Sequence, residues 1–109
     1  MKLAISSPNG RTISGHTGKC PGYLIYELEH CEVKSKTHCR LTSDQLLCNL
    51  PGSLSQHPEH PLSGIKLLIT HEMGNDLHDK LNHDGIRVLI TDMTDPGEAV
   101  SKVIKVLEA

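Results

Sequence analysis

The strongest constraint on the fold lies in the last third of the chain, where two unbroken aliphatic runs alternate with two helix-period segments. Ile65-Lys66-Leu67-Leu68-Ile69-Thr70 and Ile86-Arg87-Val88-Leu89-Ile90-Thr91 are short, rich in strand formers and flanked by turn residues, as strands are. Between them Met73, Leu77 and Leu81 recur at i, i+4 and i+8, the spacing of one helix face, and Gly85 stands where a C-terminal cap belongs. Asp95-Pro96-Gly97-Glu98 then combines an acidic N-cap, Pro at the first helical position and Glu three residues after the cap. The apolar stripe of that helix is Val100, Val103, Ile104 and Leu107. Strand–helix–strand–helix with continuous aliphatic strands predicts an at least partly parallel sheet covered by helices, an α/β fold.

The front of the chain adds strands of another kind. Lys2-Leu3-Ala4-Ile5-Ser6 reads as a short buried strand, ended by the turn formers Ser7-Pro8-Asn9-Gly10. A polar loop follows from Arg11 to Gly22. Tyr23–Leu28 and Cys31–Thr37 then predict a hairpin turning near Glu29-His30, with Glu32, Lys34 and Lys36 on a water-facing edge strand. From Leu41 to Leu62 the pattern weakens. Thr42 or Ser43 can cap a short helix using Leu46, Leu47 and Leu50, and Pro51, Pro58 and Pro61 then predict an irregular connection, a loop with one helical turn or two.

Composition narrows the function classes. With no Trp, no Phe and only two Tyr, the core has to be aliphatic. A length of 109 residues fits one domain over residues 1–109. Lys plus Arg number 11 against 13 Asp plus Glu, a formal charge of −2, which argues against a general nucleic-acid binder. No apolar run approaches the roughly 18–20 residues that span a bilayer, and Met1–Ser7 lacks the pattern of a signal peptide, so a cytoplasmic protein without membrane contact is expected. Eight His and four Cys are a heavy load of soft and borderline metal ligands, yet no C-x-x-C occurs. Without an export signal, paired disulfides are not the first reading.

In an α/β sheet, ligands bind beyond the carboxyl ends of the strands. Two segments leave strands there: the loop after Ser6, and His71-Glu72-Met73-Gly74-Asn75 after Thr70. If the two strands are parallel neighbours, these segments face each other across one crevice. Arg11, His16 and Lys19 would stand on one wall, and His71 with a helix N-terminus on the other, a natural site for an anion. Plain structural roles compete. His16 can be a solvated loop residue, Cys20 a small buried one, Met73 a member of the Leu77/Leu81 stripe, and Gly74 a hinge into the helix. The pairs His30-Cys31 and His38-Cys39 suggest a Cys₂His₂ zinc site, but a hairpin points adjacent residues to opposite faces. His57-Pro58-Glu59-His60 could take up metal adventitiously.

These segments also carry a family likeness. Ala4–Gly10, then Ile13-Ser14-Gly15-His16-Thr17-Gly18-Lys19-Cys20, then Tyr23–Tyr26, resemble the opening of the dinitrogenase iron–molybdenum cofactor biosynthesis family. His60–Ile65, Leu68–Thr70, Met73-Gly74, Gly85–Val88 and Asp95–Val100 resemble its second half. The likeness covers nearly the whole chain except about Cys31–Gln56, where Cys31, His38, Cys39 and Cys48 fit no family pattern. It implies a ribonuclease-H-like three-layer α/β/α fold with a mixed, mainly parallel sheet. It also implies a small, non-catalytic carrier of the iron–molybdenum cofactor, its precursor or another molybdenum–sulfide cluster. Such a carrier serves nitrogen fixation and exchanges its cluster with cofactor-assembly or nitrogenase-type acceptor proteins.

Position by position, the family's site falls on the Ser14-Gly15-His16 loop and the Met73-Gly74 turn. The chemistry agrees with the likeness. A metal–sulfide cluster is a bulky anion whose sulfides need hydrogen-bond donors, which Arg11, Lys19, His71 and backbone N–H groups supply. His16 or Cys20 could ligate a metal directly. Three other functions compete. A metal-free regulatory or protein-interaction module keeps the same crevice. A nuclease needs metal-clamping carboxylates, and Lys2–Ser7 contains none. Thiol redox chemistry needs Lys19 to lower the Cys20 pKa, together with a resolving cysteine.

Overall fold

The structure, a computed structural model, describes residues 1–13, 19–30, 32–47 and 54–108. Five strands and two α-helices follow the chain as β1 (Lys2–Ser6), β2 (Gly22–Glu29), β3 (Glu32–Arg40), β4 (Ile65–Thr70), α1 (Asn75–His83), β5 (Arg87–Ile90) and α2 (Pro96–Glu108). The strands form one sheet in the order β3-β2-β1-β4-β5. β1 pairs antiparallel with β2 and β2 with β3, whereas β4 lies parallel between β1 and β5. Pairing is therefore evenly mixed, not mainly parallel. The local hairpin gives the β2–β3 pair and the βαβ crossover the β4–β5 pair, while β1 joins the two halves, antiparallel to β2 and parallel to β4.

Each sheet face has its own aliphatic core. On one, Ala4, Tyr23, Ile65 and Leu68 pack with Leu81, Ile86 and the irregular segment's Leu41, Leu47, Leu54 and Leu62. On the other, Leu3, Ile5, Leu24, Tyr26, Leu28 and Ile69 pack beneath Ala99, Val100 and Val103 of α2. The alternation of strand side chains divides Leu3 from Ala4 and Leu68 from Ile69 in this way. Fully burying each such side chain stabilises the fold by about 1.5–3 kcal/mol.

The helix ends follow their sequence signals. α1 closes with Gly85 at φ +78°, while the Gly85 and Ile86 N–H groups donate to the carbonyls of Asn82 and Leu81, both at 3.0 Å. That is a Schellman motif, and its left-handed position favours glycine. α2 opens with Asp95 Oδ1 accepting from the Gly97 N–H at 2.9 Å.

One expectation changes. β5 is only partly covered: Val88 packs against the core on the α1 side, whereas Leu89 and Ile90 are 40% and 52% exposed. It is an edge strand, and α2 lies over β1 and β2 instead of over it. Among the described residues after Leu41, the expected loop with one or two helical turns holds 3-10 turns at Ser43–Gln45 and Leu54–Gln56. Gln45 reaches back to accept from the Thr42 N–H at 3.1 Å, ending the first turn on itself. No helix among the described residues is long and apolar enough to cross a membrane.

Candidate functional site

Because β1, β4 and β5 are parallel neighbours, their carboxyl ends meet along one sheet edge. The chain leaving β1 turns sharply. Asn9 Oδ1 accepts from the backbone N–H groups of Arg11 and Thr12, at 2.8 and 3.0 Å, and the Ser7 hydroxyl donates to the Thr12 carbonyl at 2.7 Å. Short Asn and Ser side chains replace backbone pairing in this way at turns. The Ile13 N–H then donates to the Thr94 carbonyl at 2.8 Å, tying this loop to the one after β5.

The loop leaving β4 is held from both sides. The buried Ser6 hydroxyl donates to Thr70 Oγ1 at 2.9 Å, and Thr70 donates onward to the Glu72 carbonyl at 3.2 Å. His71 Nε2 lies 2.6 Å from the Met93 carbonyl. A carbonyl only accepts, so Nε2 carries the proton and Nδ1 is the acceptor or ligand nitrogen of the neutral ring. The Thr91 N–H donates to the Thr70 carbonyl at 2.9 Å. Three loops are thus stitched into one rim, closing the crevice that adjacent parallel strands make possible.

At the back of the rim, α1 begins without a side-chain cap. Gly74 holds an extended N-cap conformation and contributes no side-chain hydrogen bond, and the first helical bond runs from the His78 N–H to its carbonyl at 3.0 Å. A Cβ on Gly74 would meet nothing within 4 Å. The first-turn N–H groups thus have no partner within the helix. Asp76, in the same turn, supplies the negative charge that suits a helix N-terminus.

The predicted site residues fall into three groups. Arg11 and Lys19 are exposed on the two segments flanking residues 14–18, and Ser14, Gly15 and His16 lie outside the described residues. His71, Met73 and Gly74 stand together on the β4–α1 connection, with Met73 packed against the core beside Leu77. Cys20 is buried, its thiol donating to the Gly22 carbonyl at 2.9 Å. Burial pushes that thiol up, against smaller opposing effects of hydrogen bonds from Gly22 and Ser7. The expectation that Lys19 lowers the Cys20 pKa is therefore corrected: desolvation dominates, and ligation would require removing a proton the site holds. Cys39 shares this core and is also pushed up by burial, with Cys20 adding to the effect.

One rim residue escaped the sequence reading in this role. His38, on the exposed edge strand β3, extends its ring over Gly10 and Gly22 and donates from Nε2 to the Ser7 carbonyl at 3.1 Å. Sequence alone pairs it with Cys39, but the register sends the two to opposite faces, with His38 opposite Leu24 and Cys39 opposite Tyr23. Only that cross-strand register could have revealed it. Cys31 and Cys48 lie outside the described residues. His60 is buried with both ring nitrogens engaged, at 2.8 Å from the Gln45 carbonyl and 3.0 Å from the Leu62 N–H. Its setting is therefore structural. Among the described residues no three His, Cys, Asp or Glu side chains cluster as a metal centre.

Solved structures share this architecture. The crystal structure of PH0822 superposes with a TM-score of 0.73 at 19% identity, covering 96% of this chain and 89% of the other. A Methanocaldococcus jannaschii protein described as a dinitrogenase gives a TM-score of 0.70 at 21% identity, covering 96% and 88%. A Thermotoga protein described as a NifB protein of the DUF35 family gives 0.67 at 16% identity, covering 95% and 87%. At these identities the likeness shows the fold alone. No curated protein matches the chain. The sequence itself matches the dinitrogenase iron–molybdenum cofactor family over residues 1–106, nearly its whole length, and the chain belongs to that family.

Proposed function

We propose that the protein is a non-catalytic carrier that holds an anionic metal–sulfur cluster at the carboxyl edge of its sheet. The cargo is the iron–molybdenum cofactor, its precursor or another molybdenum–sulfide cluster, exchanged with cofactor-assembly or nitrogenase-type acceptor proteins. Family membership supports the pathway, cofactor biosynthesis for nitrogen fixation. The observation that supports the reading is the stitched rim beside the start of α1, where Gly74 provides no side-chain cap and the first-turn N–H groups have no partner within the helix. The strand order, a hairpin edge joined to a parallel edge, supports a ribonuclease-H-like label for the fold.

Within this reading Arg11 and Lys19 supply positive charge to the sulfides, and Ser14, Gly15 and His16 belong to the same binding set. His71, fixed by Met93, presents Nδ1, while Met73 and Gly74 bring the helix N-terminus close. His16 and Cys20 are the two candidate direct ligands. Cys20 ligates only by giving up both its proton and its bond to Gly22. A nuclease is disfavoured because β1 carries no carboxylate to clamp a metal.

The test is anaerobic loading with tetrathiomolybdate plus iron or copper, followed by desalting and measurement of retained molybdenum and the visible charge-transfer band. Stoichiometric retention that collapses in His16→Ala supports the carrier and its site. Retention indifferent to that change moves the site. No retention above a control protein refutes the carrier and favours a metal-free interaction module.

A further inference from the structure

Beside α2, the sheet face over β4 and β5 lies open. A groove of about 810 Å³ runs there, its floor made by Leu67 and Leu89 and its wall by Val103 and Val106 of α2. Leu89 and Val106 are 40% and 74% exposed. In a layered α/β fold this is the place of a helix that would bury the sheet's apolar face. The rim has one sign. Lys66, Arg87 and Lys102 line the groove, no Asp or Glu does, and none of the three cations is ion-paired among the described residues. That concentration of positive charge sits on a chain whose formal charge is −2.

We propose that this groove docks an amphipathic helix of a partner protein, with an apolar stripe against Leu67, Leu89 and Val106 and acidic residues facing Lys66, Arg87 and Lys102. Charge complementarity selects this occupant. A second copy would approach through an isologous interface, setting these cations against their own equivalents. β5 is four residues long, roughly 13 Å of strand, which matches about two to three helical turns. The apolar stripe supplies the affinity and the acidic flanks supply orientation and speed of association. The inference does not rest on the cluster reading: the groove shares Thr91 and Met93 with the rim but uses none of the proposed cargo residues.

The test uses two labelled synthetic helical peptides of equal length, with Leu at i, i+3, i+4 and i+7 and either Glu or Lys at the remaining positions. Fluorescence anisotropy against the full chain is expected to show the Glu peptide binding at least about tenfold more tightly, with the advantage shrinking as salt rises. Leu89→Asp and the double change Arg87→Glu with Lys102→Glu are each expected to weaken binding about tenfold or more, with circular dichroism unchanged. Both alter exposed residues, so neither should prevent folding. Equal binding of the two peptides, or none, overturns the proposal. So does a dimer in light scattering that Leu89→Asp dissolves, which would make the face a self-interface. Displacement of the Glu peptide by dodecanoate, with tighter binding of the fatty acid, would make it an acyl site and also overturn it.

Discussion

His60→Ala tests what holds the least regular part of this protein in place. The imidazole is 6% exposed and bridges two segments, donating to the Gln45 carbonyl and accepting from the Leu62 N–H. It thereby pins the 3-10 turn at Ser43–Gln45 to the chain entering β4. Truncation leaves the Leu62 N–H buried without its partner, at a cost of about 1–3 kcal/mol, and removes the Gln45 bond, worth about 1 kcal/mol. The expected loss is roughly 2–4 kcal/mol from a total that is typically about 5–15 kcal/mol. Urea unfolding followed by circular dichroism reads it directly. With a slope of about 1–3 kcal/mol per molar, the midpoint should fall by about 0.7–4 M at unchanged slope. His60→Gln keeps one donor and one acceptor and should recover part of the loss, while exposed His83→Ala should change little. A His60→Ala loss below about 0.5 kcal/mol, or one that Gln does not reduce, would refute the bridge as the cause.

Three further outcomes follow from the same geometry. Gly22→Ala should destabilise by about 1–3 kcal/mol in the same assay, because the added Cβ would lie 2.8 Å from the Ser7 carbonyl and 3.0 Å from Pro8 Cα. Asp95→Ala should cost about 0.5–2 kcal/mol through loss of the cap on Gly97. It should also lower the titration midpoint of the Tyr26 phenol, held up first by burial and then by the Asp95 charge, in an ultraviolet difference titration. Cys20 and Cys39 are both raised from an ordinary value of 9.0 by burial, so their contribution is complete below about pH 9 and is lost as pH rises through the folded-state values. The urea midpoint should therefore fall on the alkaline side, and less steeply for a Cys20→Ala/Cys39→Ala double variant than for the parent; equal slopes would count against burial of the thiols.

The parts of the fold readable from sequence are those whose burial is regular. β1, β4 and both helices were evident because Leu3–Ile5, Leu67–Ile69 and the Leu77/Leu81 and Val100/Val103 pairs repeat the period of their element. β3 extends to Arg40, beyond the expected Thr37, because an edge strand exposed along nearly its whole length carries no apolar signal to mark its end. The 41–62 stretch stayed obscure since side chain–backbone bonds of Gln45 and His60, not periodicity, shape its described turns. The openness of β5 was hidden for the opposite reason. Val88, Leu89 and Ile90 look like a covered strand, yet only Val88 packs against the core, and the placement of α2 over β1 and β2 leaves Leu89 bare. The rim was legible as two facing loops, whereas the contribution of His38 depends on cross-strand register, which no single strand's sequence specifies.

The position of that histidine has a kinetic consequence for the hairpin. β3 rests on the ladder to β2 and contributes almost nothing to either core, so little apolar burial resists its detachment. At its far end His38 is fastened to Ser7 and Cys39 is partly tucked in, while at the near end His30 turns at φ +52° in solvent. The strand is a ribbon fixed at one end only. Native-state amide exchange should run as a gradient along it, fastest near Val33 and slowing toward Cys39, and breaking the Ser7 tether should free the ribbon without unfolding the sheet beneath.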